Sequence, residues 1–179
     1  AGADIIKSLT GIEVPVLLDP TLLLSKEKWF SISKKATNKP EKDYILTYFL
    51  GNIDKKTKKY IENIAKQKKM EIVRLADIKD YESYVAGPGE FIDYINSASL
   101  VLTDSFHGVI FSILMRTPFI VFRRIHRGPS MYSRIETLLD MFHLRSREIQ
   151  NIKDNEEIFN LDFSHIEPIL KSEREKAIN

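Results

Sequence analysis

Short apolar runs alternate along this chain with segments whose apolar residues recur at helical spacing, and that alternation most limits how it can fold. The runs are DYILTYFL at 43–50, MEIVRLA at 70–76, SLVLTD at 99–104 and PFIVF at 118–122. Rich in β-branched and aromatic residues, each reads as a strand. Between them, Ile61, Ile64 and Ala65 share one side of a stretch starting at Asp54, and Phe91, Ile92 and Ile95 share one side of EFIDYINSA. FHGVIFSILM at 106–115 is apolar nearly all round, as a buried helix would be, and SMYSRIETLLDMF from Ser130 supplies a fourth helix. The segment from Tyr81 to Gly89 reads as a loop. Strands apolar on both faces and separated by helices require a parallel sheet covered on both sides. The expected fold is therefore α/β, a Rossmann-like doubly wound parallel sheet.

The ends fit that core less well. Residues 1–40 read as a connector with one helix, the core spans 41–150, and 151–179 form a helical tail whose helix is interrupted or entered near Pro168, all within a single domain. In the connector, Asp19-Pro20 marks a turn and Ser25 a cap for a helix carrying Trp29 and Phe30. No apolar run approaches the roughly 18 residues of a membrane span. The chain has no cysteine, which excludes disulfides and thiolate metal sites, and its first residues show no leader. The expected location is cytoplasmic, at most peripheral to the inner face of a membrane. A net charge of +2 gives no whole-molecule attraction to nucleic acid. The histidines 107, 126, 143 and 165 show no metal-ligand spacing with clustered acids, so neither metal nor cofactor is expected.

Charge is sorted unevenly. From Ser105 through Ile135 there is no Asp or Glu, yet this window carries Arg116, Arg123, Arg124, Arg127 and Arg134. Arginine's rigid fork matches carboxylate or phosphate, so the window is a candidate anion site unless acids distant in sequence reach these arginines. It opens on LTDSFHG, which places Asp104 and Ser105 at the carboxyl end of a strand, where open α/β sheets bind their ligands. Either residue could cap the following helix, leaving first-turn N–H groups to face an anion. Gly108 would permit close approach of a backbone or ligand. His107, in the first turn, is the candidate proton carrier. A bound phosphate would favour the imidazolium that the helix dipole alone disfavours.

Several stretches together carry a resemblance: GEFIDYINSASLVLTDSFHGVIFSILMRTPFIVFRR, VPVLLDPTLLLSKEKW, YILTYFLG and SRIETLLDMFHLRSR. They resemble the polysaccharide pyruvyl transferase family. The resemblance implies the C-terminal half of a two-domain, glycosyltransferase-type (GT-B-like) architecture, whose missing N-terminal domain would close the cleft. It also implies transfer of pyruvate from phosphoenolpyruvate to two hydroxyls of a sugar or lipid-linked oligosaccharide, forming a ketal on a bacterial surface glycan. His107 matches the family's catalytic histidine. Asp104, Ser105, Gly108, Arg123, Arg124 and Arg127, with Gly51 and Asn52 after the first strand, become candidates for substrate binding. Some branches of the family carry arginine where this chain has Ser105, so one anion contact would come from elsewhere here. Two other functions fit the same residues: a sugar-nucleotide glycosyltransferase, with Glu90 as the available acid for a ribose, and a non-catalytic glycan-binding domain.

Overall fold

The computed structural model describes residues 2–79, 84–125 and 132–178. Four strands, β1 (Tyr44–Tyr48), β2 (Glu71–Leu75), β3 (Leu100–Thr103) and β4 (Phe119–Val121), form one sheet in the order β2-β1-β3-β4. Every pairing is parallel, with Leu46 beside Val73 and Val101, and Val101 beside Phe119. Alternate residues serve opposite faces. Tyr44, Leu46, Val101, Phe119 and Val121 enter the larger core cluster, whereas Ile45, Leu100, Leu102 and Ile120 enter the smaller one across the sheet. Both faces are thus covered, as the continuously apolar runs predict, and the sheet is Rossmann-like and doubly wound.

Before the sheet stand α1 (Gly2–Thr10), a 3-10 turn (Pro20–Leu23) and α2 (Lys26–Ser31). The crossovers are α3 (Lys55–Lys68) after β1, α4 (Pro88–Ser97) after β2 and α5 (Phe106–Met115) after β3. Asp54 caps α3 by accepting from the Thr57 amide at 2.7 Å. Ile61, Ile64 and Ala65 of α3 fill the smaller cluster, while Ile92 and Ile95 of α4 and Val109, Ile110, Ile113 and Leu114 of α5 fill the larger. Helix α4 begins two residues before Glu90, because Pro88 occupies its first position, where the missing N–H costs nothing. Of the loop expected at 81–89, residues 80–83 lie outside the described residues. The chain leaves β1 toward β2 on one side and returns past β1 to β3 on the other. The direction of winding therefore reverses between the carboxyl ends of β1 and β3, at Tyr48 and Thr103.

The flanks bring one addition and one tightening. Residues 2–10 form a helix with no buried residue, where the sequence reads as connector; its Ile5, Ile6 and Leu9 are exposed. Asp19 caps the 3-10 turn and Ser25 caps α2, both as expected from those residue types. After α6 (Tyr132–Met141), the C-terminal segment is fastened to the core. The buried Arg147 guanidinium donates to the Phe119 carbonyl of β4 at 2.8 Å and to the Ile158 carbonyl at 2.6 Å. Helix α7 (Ile166–Ile178) buries Ile166 and Leu170, and its Arg174 donates to the carbonyls of Leu22 and Leu24.

Candidate functional site

The turn from β3 into α5 is organised by hydroxyls. Thr103 Oγ1 donates to the Tyr48 carbonyl at 2.6 Å and accepts from the Ser105 amide at 3.0 Å, locking the ends of β3 and β1 together. Ser105 is the residue that caps α5, accepting from the Gly108 amide at 3.3 Å. Asp104 does not cap the helix. Its buried carboxylate turns the other way, accepting from the Leu50 and Gly51 amides at 2.8 and 2.9 Å and from Arg124 Nε at 3.3 Å. All of these donors are protein groups, so Asp104 holds the β1–α3 loop across the reversal point of the sheet. The physical reason is placement: two amides of a tight loop converge on the end of β3, and a carboxylate satisfies both.

The glycines mark close packing within the chain itself. A Cβ on Gly108 would lie 2.5 Å from Thr103 Oγ1, so the helix presses on its own preceding strand at this point. A Cβ on Gly51 would lie 2.5 Å from Arg124 Cγ and 2.9 Å from Asp104 Oδ2. Asn52, exposed, donates its amide to the Ile125 carbonyl at 3.3 Å and so ties the loop after β1 to the segment after β4.

His107 points outward from the first turn of α5, its side chain 51% exposed. Asp19 faces it, with Oδ1 3.9 Å from His107 Nε2. This carboxylate is itself steadied by the Thr21 amide and hydroxyl, and Arg134 Nη2 approaches its other oxygen at 3.4 Å. The Arg134 guanidinium lies over the Phe106 ring at 4.0 Å. A half-exposed imidazole beside a fixed carboxylate and a guanidinium can exchange a proton with a ligand while an anion is held nearby. Beside Ser105, burial pushes the Tyr48 hydroxyl above the ordinary phenol range, opposed by its hydrogen bond with that serine.

The arginine window acquires counter-ions in three dimensions. Arg116 pairs with Glu167 at 2.7 Å, Arg123 with Glu136 at 3.1 Å, Arg124 with Asp104, and Arg134 with Asp19. For these four the alternative left open by the sequence holds: acids distant in the chain reach them. Arg123 keeps the most freedom, 60% exposed and stacked on Tyr132 at 4.3 Å. Arg127 and His126 lie outside the described residues. Sequence reasoning missed Asp19 and Arg134 as neighbours of His107, and Tyr48 beside Ser105. Arg134 was named only as one of the window's arginines, and Asp19-Pro20 only as a turn. Among the described residues no group of three or more His, Cys, Asp or Glu could hold a metal, and no helix is long and apolar enough to cross a membrane.

The family model of polysaccharide pyruvyl transferase matches residues 2–126, a span that runs from α1 through the Asp19 turn, the whole sheet and the His107 turn. Neither the curated proteins nor the solved structures give a significant match. The match takes in both sides of the His107–Asp19 pair and most of the chain, and on that ground the chain belongs to the polysaccharide pyruvyl transferase family.

Proposed function

We propose that this chain supplies the donor half of an enzyme that transfers pyruvate from phosphoenolpyruvate to two hydroxyls of a sugar, forming a cyclic ketal on a surface polysaccharide or its precursor. The observation that carries the proposal is the setting of His107: half-exposed at the first turn of α5, at the sheet's reversal point, with Asp19 3.9 Å away. The reaction adds one hydroxyl proton to the methylene carbon of phosphoenolpyruvate, making the methyl group. The first sugar oxygen bonds to the central carbon, the second displaces phosphate there, and the second hydroxyl proton leaves with the phosphate. One group that carries protons and cations that hold phosphate and carboxylate meet these needs. His107 moves the proton. Asp19 faces the imidazole across 3.9 Å, and Arg134, which approaches the other oxygen of Asp19, receives the anionic donor together with the exposed Arg123. The acceptor is held between this half and an N-terminal domain, in the cytoplasm, where phosphoenolpyruvate is made.

The test is donor turnover in a protein carrying both halves, followed as phosphate released from phosphoenolpyruvate in the presence of glycan acceptor. His107→Ala lowers turnover by ~10²–10⁴, the usual contribution of a general acid–base group. A loss of only a few-fold would remove His107 from the chemistry.

A further inference from the structure

Seven arginines among the described residues have partners for their guanidinium groups; Arg74 has none. It projects from β2, the edge strand, into a cavity of about 450 Å³ between α3 and the carboxyl ends of β1 and β2. Two more cations line the cavity, Lys58 of α3 and Lys79 of the loop after β2, and neither side chain meets a partner. Lys58 and Glu62 stand one helical turn apart, at the spacing of an ordinary surface pair, yet they do not close on each other. Two carboxylates, Glu62 and Asp77, line the same concavity, but none of the three cations closes an ion pair with them, so the cations stay available to an anion.

The rest of the lining is not that of a bare phosphate site. Phe49, Ile72 and Leu75 give an apolar floor, and Asn52, Glu62 and Asp77 present acceptors around it. Carboxylates repel a free anion but accept hydrogen bonds from hydroxyls, and an apolar floor suits the C–H face of a sugar ring. Asn52 and Ile53 also line a second cavity, of about 200 Å³, which is bounded as well by Asp104 and Arg123. The two cavities therefore share Phe49, Asn52 and Ile53 as walls, and the second is bounded by Asp104 of the turn that follows β3.

We propose that the cavity between α3 and β2 is a subsite for a glycosyl phosphate, the phosphorylated sugar of the acceptor. Arg74, Lys58 and Lys79 hold the phosphate, and Glu62, Asp77 and Asn52 take the hydroxyls. This assignment rests on the pyruvyl-transfer reading for the identity of its ligand as acceptor. The phosphate belongs to a sugar joined either to a nucleoside or to a lipid through a diphosphate.

Calorimetric titration of the 179-residue chain with glucose 1-phosphate, glucose and inorganic phosphate tests the site directly. Glucose 1-phosphate saturates, more tightly than either fragment. Arg74→Ala weakens it about tenfold or more, and Lys58→Ala does so to a lesser degree. Both residues are exposed, so the variants keep the fold, and the binding of phosphoenolpyruvate stays within about twofold. Uridine diphosphate glucose titrated against a glucosyl diphosphate with a short alkyl chain then names the carrier, and a preference for either supports the site. The proposal is overturned if glucose 1-phosphate fails to saturate, or if neither variant changes its affinity by more than about twofold. Saturation by glucose 1-phosphate without binding of phosphoenolpyruvate would instead keep the subsite and remove the pyruvyl donor.

Discussion

Replacing Asp104 by Asn separates a structural tie from a substrate ligand. The wild-type carboxylate accepts two amide hydrogen bonds at 2.8 and 2.9 Å and one contact from Arg124 at 3.3 Å, with its side chain almost wholly buried. The asparagine side chain has the same shape but only one acceptor, so one of the Leu50 and Gly51 amides faces an NH₂ group instead. Leaving one buried donor unsatisfied costs ~1–3 kcal/mol. The surviving bond loses its charge assistance, a further loss of roughly 1 kcal/mol. The contact with Arg124 adds little, because that guanidinium is 35% exposed and water screens it. The sum is about 2–4 kcal/mol, which in a chain of this size lowers Tm by roughly 4–16 °C. Calorimetric unfolding measures the shift, and hydrogen exchange at Leu50 and Gly51 locates it. A Tm within about 2 °C of wild type, with unchanged protection of both amides, would refute the reasoning that Asp104 is a structural tie.

Gly108→Ala pushes a Cβ to 2.5 Å from Thr103 Oγ1, and Thr103 is fully buried and pinned by two hydrogen bonds. Overpacking of ~1–3 kcal/mol outweighs the helix propensity gained, so the urea midpoint falls with an unchanged slope; a midpoint at or above wild type would show that helix and strand separate freely. Arg147→Met leaves the Phe119 and Ile158 carbonyls without their buried donor and destabilises the chain by ~2–4 kcal/mol, with exchange protection lost first in the C-terminal segment. Burial pushes the hydroxyls of Tyr44 and Tyr132 upward, and Glu148 raises that of Tyr132 further. Below about pH 10 both are protonated in the folded and unfolded states alike, and their contribution is complete. Above that pH the unfolded chain releases protons that the fold retains, so stability falls as pH rises. Tyr132→Phe makes that alkaline decline shallower in denaturation midpoints taken across it, and an identical slope would contradict the assignment.

The sequence disclosed whatever depends on local pattern. Strand runs apolar on both faces were legible because both faces of the sheet are covered, and the α5 helix was legible because it is buried all round. Position at the carboxyl end of β3 was likewise readable from Leu102 to Gly108. Pairing across long separations was not. Arg116 finds Glu167, and Arg134 and His107 both find Asp19, through folding that brings the connector against α5 and α6. An acid-free stretch of sequence therefore says little about local charge in space. Asp104 was misread for a related reason: a carboxylate ahead of a helix suggests a cap, but the donors that won it belong to the loop after β1. Helix α1 escaped notice because it buries nothing, so no inward-facing stripe distinguishes it from a connector.

The central claim is that the His107 turn holds phosphoenolpyruvate. Titration calorimetry of this chain and of His107→Ala with phosphoenolpyruvate, and with uridine diphosphate for comparison, tests it most directly. The account predicts saturable binding of phosphoenolpyruvate that His107→Ala weakens about tenfold, and weaker binding of the nucleotide. Phosphoenolpyruvate binding indifferent to His107, or tighter binding of uridine diphosphate that His107→Ala weakens in its place, would contradict it.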